Sequence, residues 1–265
     1  MLKKNTGKKI FLVLLMIYLF IPILATILFS VTDKWDTTIL PQSYTLKYYS
    51  IIFSDDNFIT SLLQTINISV ITSIVSVIIL VPCIYVTSLY YKKLEKFFEI
   101  LAVIPFILPG VILAIGLIQM YSKDPINITG TIWILFGAYF VLCLPFMYRS
   151  IKNSFIGIDA LRLTEAAMIL GCNEFQAFLK VIIPNVIRGI ISAVLLSISI
   201  LFGEFVLANL LVGNNYRTIQ IYLFNALNSN GHTASAIVSV YLIVIFMISY
   251  IAILLTGKKQ RKMED

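Results

Sequence analysis

The chain has 265 residues, of which 59% are hydrophobic and only 12% charged, against roughly 25% charged in an ordinary soluble domain. Its net charge of +7 would raise nucleic acid as a partner in a soluble protein, but several apolar runs approach or pass the ~20 residues needed to cross a bilayer, and their continuous apolar character argues against a transmembrane barrel. Three cysteines (Cys83, Cys143, Cys172) without a CxxC pattern, and a single histidine, argue against a disulfide framework or a metal site.

The expected fold is an all-α polytopic membrane protein with six transmembrane helices in one domain, 1–265. Residues 1–9 are polar and basic, and the first apolar run occupies 10–30. A basic start and an apolar core also describe a signal peptide. Here the core is long and no small-x-small cleavage site follows, so it reads as an uncleaved first helix. Residues 31–61 hold Asp33, Asp36, Asp55, Asp56 and Trp35 and read as an external connection, with a short interfacial helix near 46–53. Further spans are expected at 62–90, 97–121, 130–148, 185–212 and 233–256. A short basic loop (91–96), a polar turn (122–129), a long loop (149–184) and a polar segment (213–232) with a half-helix at 218–227 join them, and a polar tail follows at 257–265.

Six spans put both termini on one side. Sixteen of the 20 Lys and Arg residues fall on that side, and Lys34, Lys47, Lys123 and Arg217 fall on the other. The positive-inside rule then places both termini and the 149–184 loop in the cytoplasm. Topology explains the basic excess, so the lipid bilayer, not nucleic acid, is the expected surroundings.

The 149–184 loop reads as two short helices with a break. Asp159 is a candidate N-cap for a helix over 160–170, its carboxylate taking a first-turn amide. Gly171 sits where a left-handed residue would end that helix. Asn173 and Gln176 have capping-box spacing for a second helix, and Pro184 can open the next span, where its missing N–H matters little. The small Ala166 and Ala167 suit close approach, either to another protein or to the chain's own membrane domain. The run Glu165-Ala166-Ala167, three residues, Gly171, nine residues, Val181, and then Ile183-Pro184 resembles the EAA loop, E-A-A-x3-G-x9-I-x-L-P, of the permease subunits of type I ABC importers. Val181 and Ile183 are conservative departures. The overall layout also resembles that family, whose permeases have a peripheral first helix and a five-helix core.

The resemblance implies a coupling helix at 160–170 that docks in a groove of a cytoplasmic ATPase, with Glu165 making polar contacts and Gly171 giving the turn. It also implies two ABC ATPase subunits, a second permease chain and an extracytoplasmic solute-binding protein, all in a bacterial cell membrane. The chain has no Walker A sequence, so it supplies no ATP chemistry of its own, and no cofactor is called for.

Glu204 is an acid placed well inside a span, with Asn209 five residues on. An intramembrane acid marks a functional site by default. Here it reads as a pore or gate residue, or alternatively as a packing contact or the sign of a broken span. Pro105, Pro109 and Gly110 interrupt the third span and form a hinge candidate, since broken helices mark transport paths. Pro82 and Pro145 read as kinks. His232 reads as a solvated loop residue or, less simply, a ligand.

A membrane enzyme would show a polar catalytic cluster, which the sequence lacks. An ion-coupled secondary transporter is the remaining rival, but it would want internal symmetry and would leave the 159–184 segment unexplained. Within the importer class, the Gly203-Glu204-Phe205 run and the short N-terminus resemble the smaller permease of spermidine/putrescine importers, which favours a polyamine solute and a non-identical permease partner. Relatives that move iron(III), thiamine, phosphonate, molybdate or sulfate stay open.

Overall fold

The computed structural model describes residues 6–35, 38 and 40–261. Residues 1–5 of the basic N-terminus, Asp36 with 37 and 39 in the external connection, and 262–265 of the polar tail lie outside the described residues. The chain divides into two compact units, Met1–Ile59 with Tyr222–Ile245, and Thr60–Ile221 with Phe246–Asp265.

The first unit begins with α1 (Thr6–Ser30). No residue in its apolar stretch is buried inside the chain, as suits a helix whose apolar surface faces lipid or another subunit. A short antiparallel ladder follows, β1 (Thr32–Lys34) with β2 (Ser43–Tyr44), and then the short helix α2 (Lys47–Phe53), in the expected place. Ser30 and Tyr49 share a 2.7 Å hydrogen bond, and Tyr222 donates to Asp55 over 2.6 Å. The last helix, α12 (Gly231–Arg261), opens in this unit. Its first turn is capped by Asn230, whose Oδ1 accepts from the amides of His232 (2.9 Å) and Thr233 (3.2 Å).

The second unit takes most of α3 (Asp56–Tyr90). It adds α4 (Lys92–Ile107), α5 (Gly110–Tyr121) and α6 (Ile132–Gly157). Next come α7 (Ala160–Ile169) and α8 (Glu174–Ala177), and a π-helical turn (Phe178–Ile182) leads into α9 (Ile183–Phe202) and α10 (Val206–Leu211). Then α11 (Ile219–Leu227) begins. The core runs along α6 through Leu135, Tyr139, Cys143, Met147 and Ile151, each fully enclosed. It packs against Val186, Ala193 and Leu201 of α9.

Five helices are long and apolar enough to span a membrane, and the α4/α5 pair adds a sixth candidate, bent by 103°. The fold is therefore that of an all-α polytopic membrane protein, with the small ladder as its one departure among the described residues. Several boundaries differ from the sequence reading. Helix α3 starts at Asp56, not at 62, because the Asp55 carboxylate accepts the Asn57 amide at 2.9 Å and caps it in a polar segment. Helix α6 runs on to Gly157, nine residues past the expected end, so the loop between spans is shorter than 149–184. Charged residues such as Arg149 and Lys152 do not end a helix, since their long stems can lie along apolar surface while their heads reach water.

The expected single span at 97–121 is two helices. Pro105 sits inside α4 without breaking it, and the break falls at Leu108–Pro109, where the extended Leu108 and Pro109 separate α4 from α5. The expected span at 185–212 also differs at both ends. Helical structure already begins at Glu174 and passes through the π turn, and it breaks at Gly203–Phe205 before the short α10.

Candidate functional site

The segment between α6 and α9 is a folded elbow. Ala160, Thr164 and Ala167 lie on one face of α7 and are buried, as their i, i+4, i+7 spacing requires. Thr164 donates to the Ala160 carbonyl at 2.8 Å and lies 3.5 Å from the Tyr85 hydroxyl of α3. The Tyr85 ring in turn meets Phe178 of the π turn, with centroids 4.7 Å apart. Ala167 thus fits α7 to its own membrane domain, while Ala166 and Glu165 face outward.

Gly171 adopts φ +92° and closes a complete Schellman turn. Its amide donates to Met168 and that of Cys172 donates to Ala167, both over 3.0 Å. Nothing lies within 4 Å of where a Cβ on Gly171 would stand, so the glycine is required by backbone conformation and not by crowding. The Asn173–Gln176 capping box is present in both directions, at 2.8 and 3.2 Å. Asp159 corrects the sequence reading. It precedes α7 but has φ 49° and makes no side-chain cap, because its carboxylate pairs instead with Arg162 at 3.2 Å. Both partners are exposed, so the pair contributes little stability.

Pro184 lies in the first turn of α9, directly after the π turn. The wider turn lets the Ile183 amide reach back to Phe178, and Asn185 Nδ2 takes the Val181 carbonyl at 2.8 Å. These bonds serve backbone groups near a proline that has no N–H to offer. The outer tip of the elbow is apolar, with Ile169 86%, Leu170 85% and Phe175 69% exposed. Glu165 stands one turn before that tip. The sequence reading of small or apolar residues at Ala166, Ala167 and Leu170 did not single out Ile169 or Phe175; an apolar Ile-Leu pair directly before the turn glycine was the available signal.

A second arrangement sits where two helices break. Glu204 is not within a helix but in the gap between α9 and α10, half-buried, with Oε1 accepting the Leu207 amide at 2.7 Å. It caps α10, and the reason is the break itself, which leaves first-turn amides without partners. Across it, Gln220 Nε2 donates to the Phe202 carbonyl at 3.0 Å, and the Tyr139 hydroxyl stands 3.5 Å from the Glu204 carbonyl. The other break is close by. A Cβ on Gly110, the first residue of α5, would lie 3.6 Å from Val206 of α10. The structure therefore brings Pro109–Gly110 and Glu204–Val206 together. Pro105 lies farther back in α4, and Asn209 is exposed on α10. Tyr216 donates to the Gln64 carbonyl at 3.0 Å. Burial pushes its phenol above the ordinary value, so it remains a neutral donor.

A polar seam was missed by sequence reasoning. Ser61, Thr65, Ser69, Thr72, Ser73 and Ser76 of α3 are all buried. Ser73 donates to Ser197 of α9 at 2.9 Å, and Ser197 donates to Cys143 Sγ of α6 at 3.0 Å, so three helices are tied together. The recurrence of hydroxyls at i+4 was the legible signal, since small hydroxyl residues let membrane helices approach closely. His232 is not a solvated loop residue. Its ring stacks between Phe29 (4.0 Å) and Tyr48 (5.0 Å), with Nδ1 3.0 Å from the Phe29 carbonyl. Among the described residues no group of three His, Cys, Asp or Glu side chains could hold a metal ion.

Residues 58–262 match the family described as binding-protein-dependent transport system inner membrane component. The chain is 22% identical over 236 residues to a Salmonella typhimurium protein named as a 2-aminoethylphosphonate transport system permease, PhnV, covering 89% of this chain and 88% of that one. It is 21% identical over 252 residues to the Escherichia coli spermidine/putrescine transport system permease protein PotC, covering 92% and 91%. Among solved structures, a chain of a bacterial alginate ABC transporter in complex with an alginate pentasaccharide-bound periplasmic protein superposes with a TM-score of 0.75 at 16% identity, covering 96% of this chain and 95% of that chain. A chain of the inward-facing MetNI methionine ABC transporter superposes with a TM-score of 0.63 at 16% identity, over 77% of this chain and 98% of that one. At these identities the structural likeness is one of fold.

Proposed function

As a member of the binding-protein-dependent transport system inner membrane components, the chain is the non-catalytic, multi-pass permease subunit of an ABC importer in the inner membrane, and we propose that its elbow is the part that takes up the work of ATP hydrolysis. The observation that carries this reading is the division of α7 into two faces. Ala160, Thr164 and Ala167 are locked into the chain's own helices, while Glu165, Ala166, Ile169 and Leu170 stand free. A rigid lever with an apolar tip and a charge beside it suits docking in a groove of a cytoplasmic ATPase. Gly171 turns the chain back, and the continuous helical path from Glu174 through Pro184 carries the movement into α9.

The orientation follows the distribution of Lys and Arg, with both termini and the elbow cytoplasmic. The working assembly has two ATPase subunits, a second and non-identical permease chain completing the path, and a solute-binding protein outside. The paired breaks at Leu108–Pro109 and Gly203–Phe205 form the gate. Glu204, Asn209 and Pro109 line or hinge it, and Pro105 bends the helix that leads to it.

A polyamine is the proposed solute. The resemblance of Gly203-Glu204-Phe205 to the smaller polyamine permeases supports it, as does the PotC likeness. A 2-aminoethylphosphonate is the second reading, on the strength of the PhnV likeness. Both solutes carry an ammonium group, which suits a carboxylate at the gate.

The test of coupling is Glu165→Lys in the assembled importer. The variant is expected to insert and assemble, to keep basal ATP hydrolysis, and to lose at least about tenfold of solute uptake, a change of ~1.4 kcal/mol or more in coupling. Normal uptake by Glu165→Lys would show that the elbow is not the dock.

A further inference from the structure

Two cavities adjoin on the side of the second unit formed by α3, α4 and α6. One, of about 220 Å³, has an apolar wall that includes Leu80 and Cys83 of α3, Phe98 and Leu101 of α4, and Phe140 and Leu144 of α6. The other, of about 170 Å³, is bounded by Glu99, Arg149, Lys152 and Asn153. They share Ala102 and Tyr148, so one surface changes from hydrocarbon to charge. The change runs along a single face of α6. Phe140, Leu144, Tyr148 and Lys152 follow each other at i+4. From the first to the last is a rise of ~18 Å at 1.5 Å per residue, close to one leaflet of a ~30 Å hydrocarbon core.

The charged end is biased to cations. Lys152 is held by Glu95 at 3.3 Å and Glu99 at 3.1 Å and lies 5.9 Å from the Tyr148 ring centroid. Arg149 is exposed and makes no ion pair among the described residues. Lys92, Lys93 and Lys96, on the first turns of α4, are exposed as well. Arg149 and Lys152 thus stand with Glu99 in the cavity, and Lys92, Lys93 and Lys96 share the first turns of α4 with Glu95, at the end of the spans where the Lys and Arg distribution puts the cytoplasm.

We propose that this surface binds one anionic phospholipid of the cytoplasmic leaflet, with an acyl chain in the apolar cavity and the phosphate at Arg149 beside Lys152. Apolar slot, aromatic boundary and cationic end match the three zones of such a lipid in order, and basic pockets between transmembrane helices on this side are suited to anionic headgroups. Glu95 and Glu99 fix Lys152 across α4 and α6, so the headgroup meets a positioned cation and one free guanidinium. The proposal rests on the cytoplasmic placement of the 91–96 and 149–157 segments, but not on the elbow's docking.

The test uses the full chain purified with its partner subunits and placed in nanodiscs of phosphatidylglycerol and phosphatidylethanolamine. Retained lipid is then read by native mass spectrometry. Wild type is expected to hold one phosphatidylglycerol per copy of this chain. Leu144→Trp, which fills the slot, should lose that lipid. Leu101→Trp fills it from the facing helix and should do the same, so that misfolding of either variant does not decide the matter. Arg149→Gln should lower the preference for phosphatidylglycerol about fivefold, the order expected for one cation at an anionic surface. Lys123→Gln, at the opposite end of the spans, should change nothing. Equal retention in all variants, or a slot covered by another subunit and holding no lipid in wild type, would overturn the proposal. Stimulation of ATP hydrolysis in the same samples reads coupling separately, so a coupling failure with lipid retained would bear only on the elbow.

Discussion

At Glu204 one carboxylate has two uses that a pair of substitutions can separate. Its Oε1 holds the Leu207 amide at 2.7 Å, which glutamine can also do, while the negative charge is what a cationic solute would meet. Glu204→Ala should lower the thermal stability of the detergent-solubilised importer, on the order of 1 kcal/mol for a lost helix cap. Glu204→Gln should keep most of that stability and still reduce uptake severalfold. Full uptake with Glu204→Gln would reduce Glu204 to a cap. The same residue shows why sequence reading placed it inside a span: hydropathy reports where lipid is, not where helical hydrogen bonds stop. No proline announces the break after Phe202; it is stabilised by Gln220, eighteen residues on, whose amide takes the Phe202 carbonyl.

At the scale of elements, α6 and α9 approach closely at Gly189. A methyl on Gly189 would overlap the Ser154 side chain, and Ser150 Oγ lies 3.4 Å from the Gly189 carbonyl. Gly189→Ala should therefore destabilise by ~1–3 kcal/mol, as overpacking does, and lower the melting temperature. Adding Ser154→Gly should recover part of the loss. No recovery would mean that the strain lies elsewhere. Local chemistry made several elements legible in advance. Gly171 followed by the Asn173–Gln176 spacing gave the elbow, and the half-helix at 218–227 and the short helix at 46–53 lie within a residue of α11 and α2. What was not legible turned on competing local side chains or on distant partners. Asp159 turned to Arg162 instead of capping. Helix α6 passed through its charged residues to Gly157. The α3 hydroxyl seam has meaning only with Ser197 and Cys143 opposite it, and His232 found its place between two rings more than 180 residues away in the chain.

For the whole molecule, the family match spans residues 58–262, and the series of apolar membrane spans was readable from hydropathy. Solute identity was not, because the two relatives named for different solutes are 22% and 21% identical to the chain, and one carboxylate near a gate does not separate two ammonium-bearing molecules. The elbow is where the transporter's energy source and its path would meet. The most direct measurement is photo-crosslinking from Leu170, replaced by a photoreactive amino acid, in the assembled importer. Leu170 is 85% exposed at the tip, and docking predicts a single prominent adduct with the ATPase subunit whose yield changes when ATP is added. An assembled, active importer in which Leu170 crosslinks only to lipid or to its own chain would contradict docking through this segment.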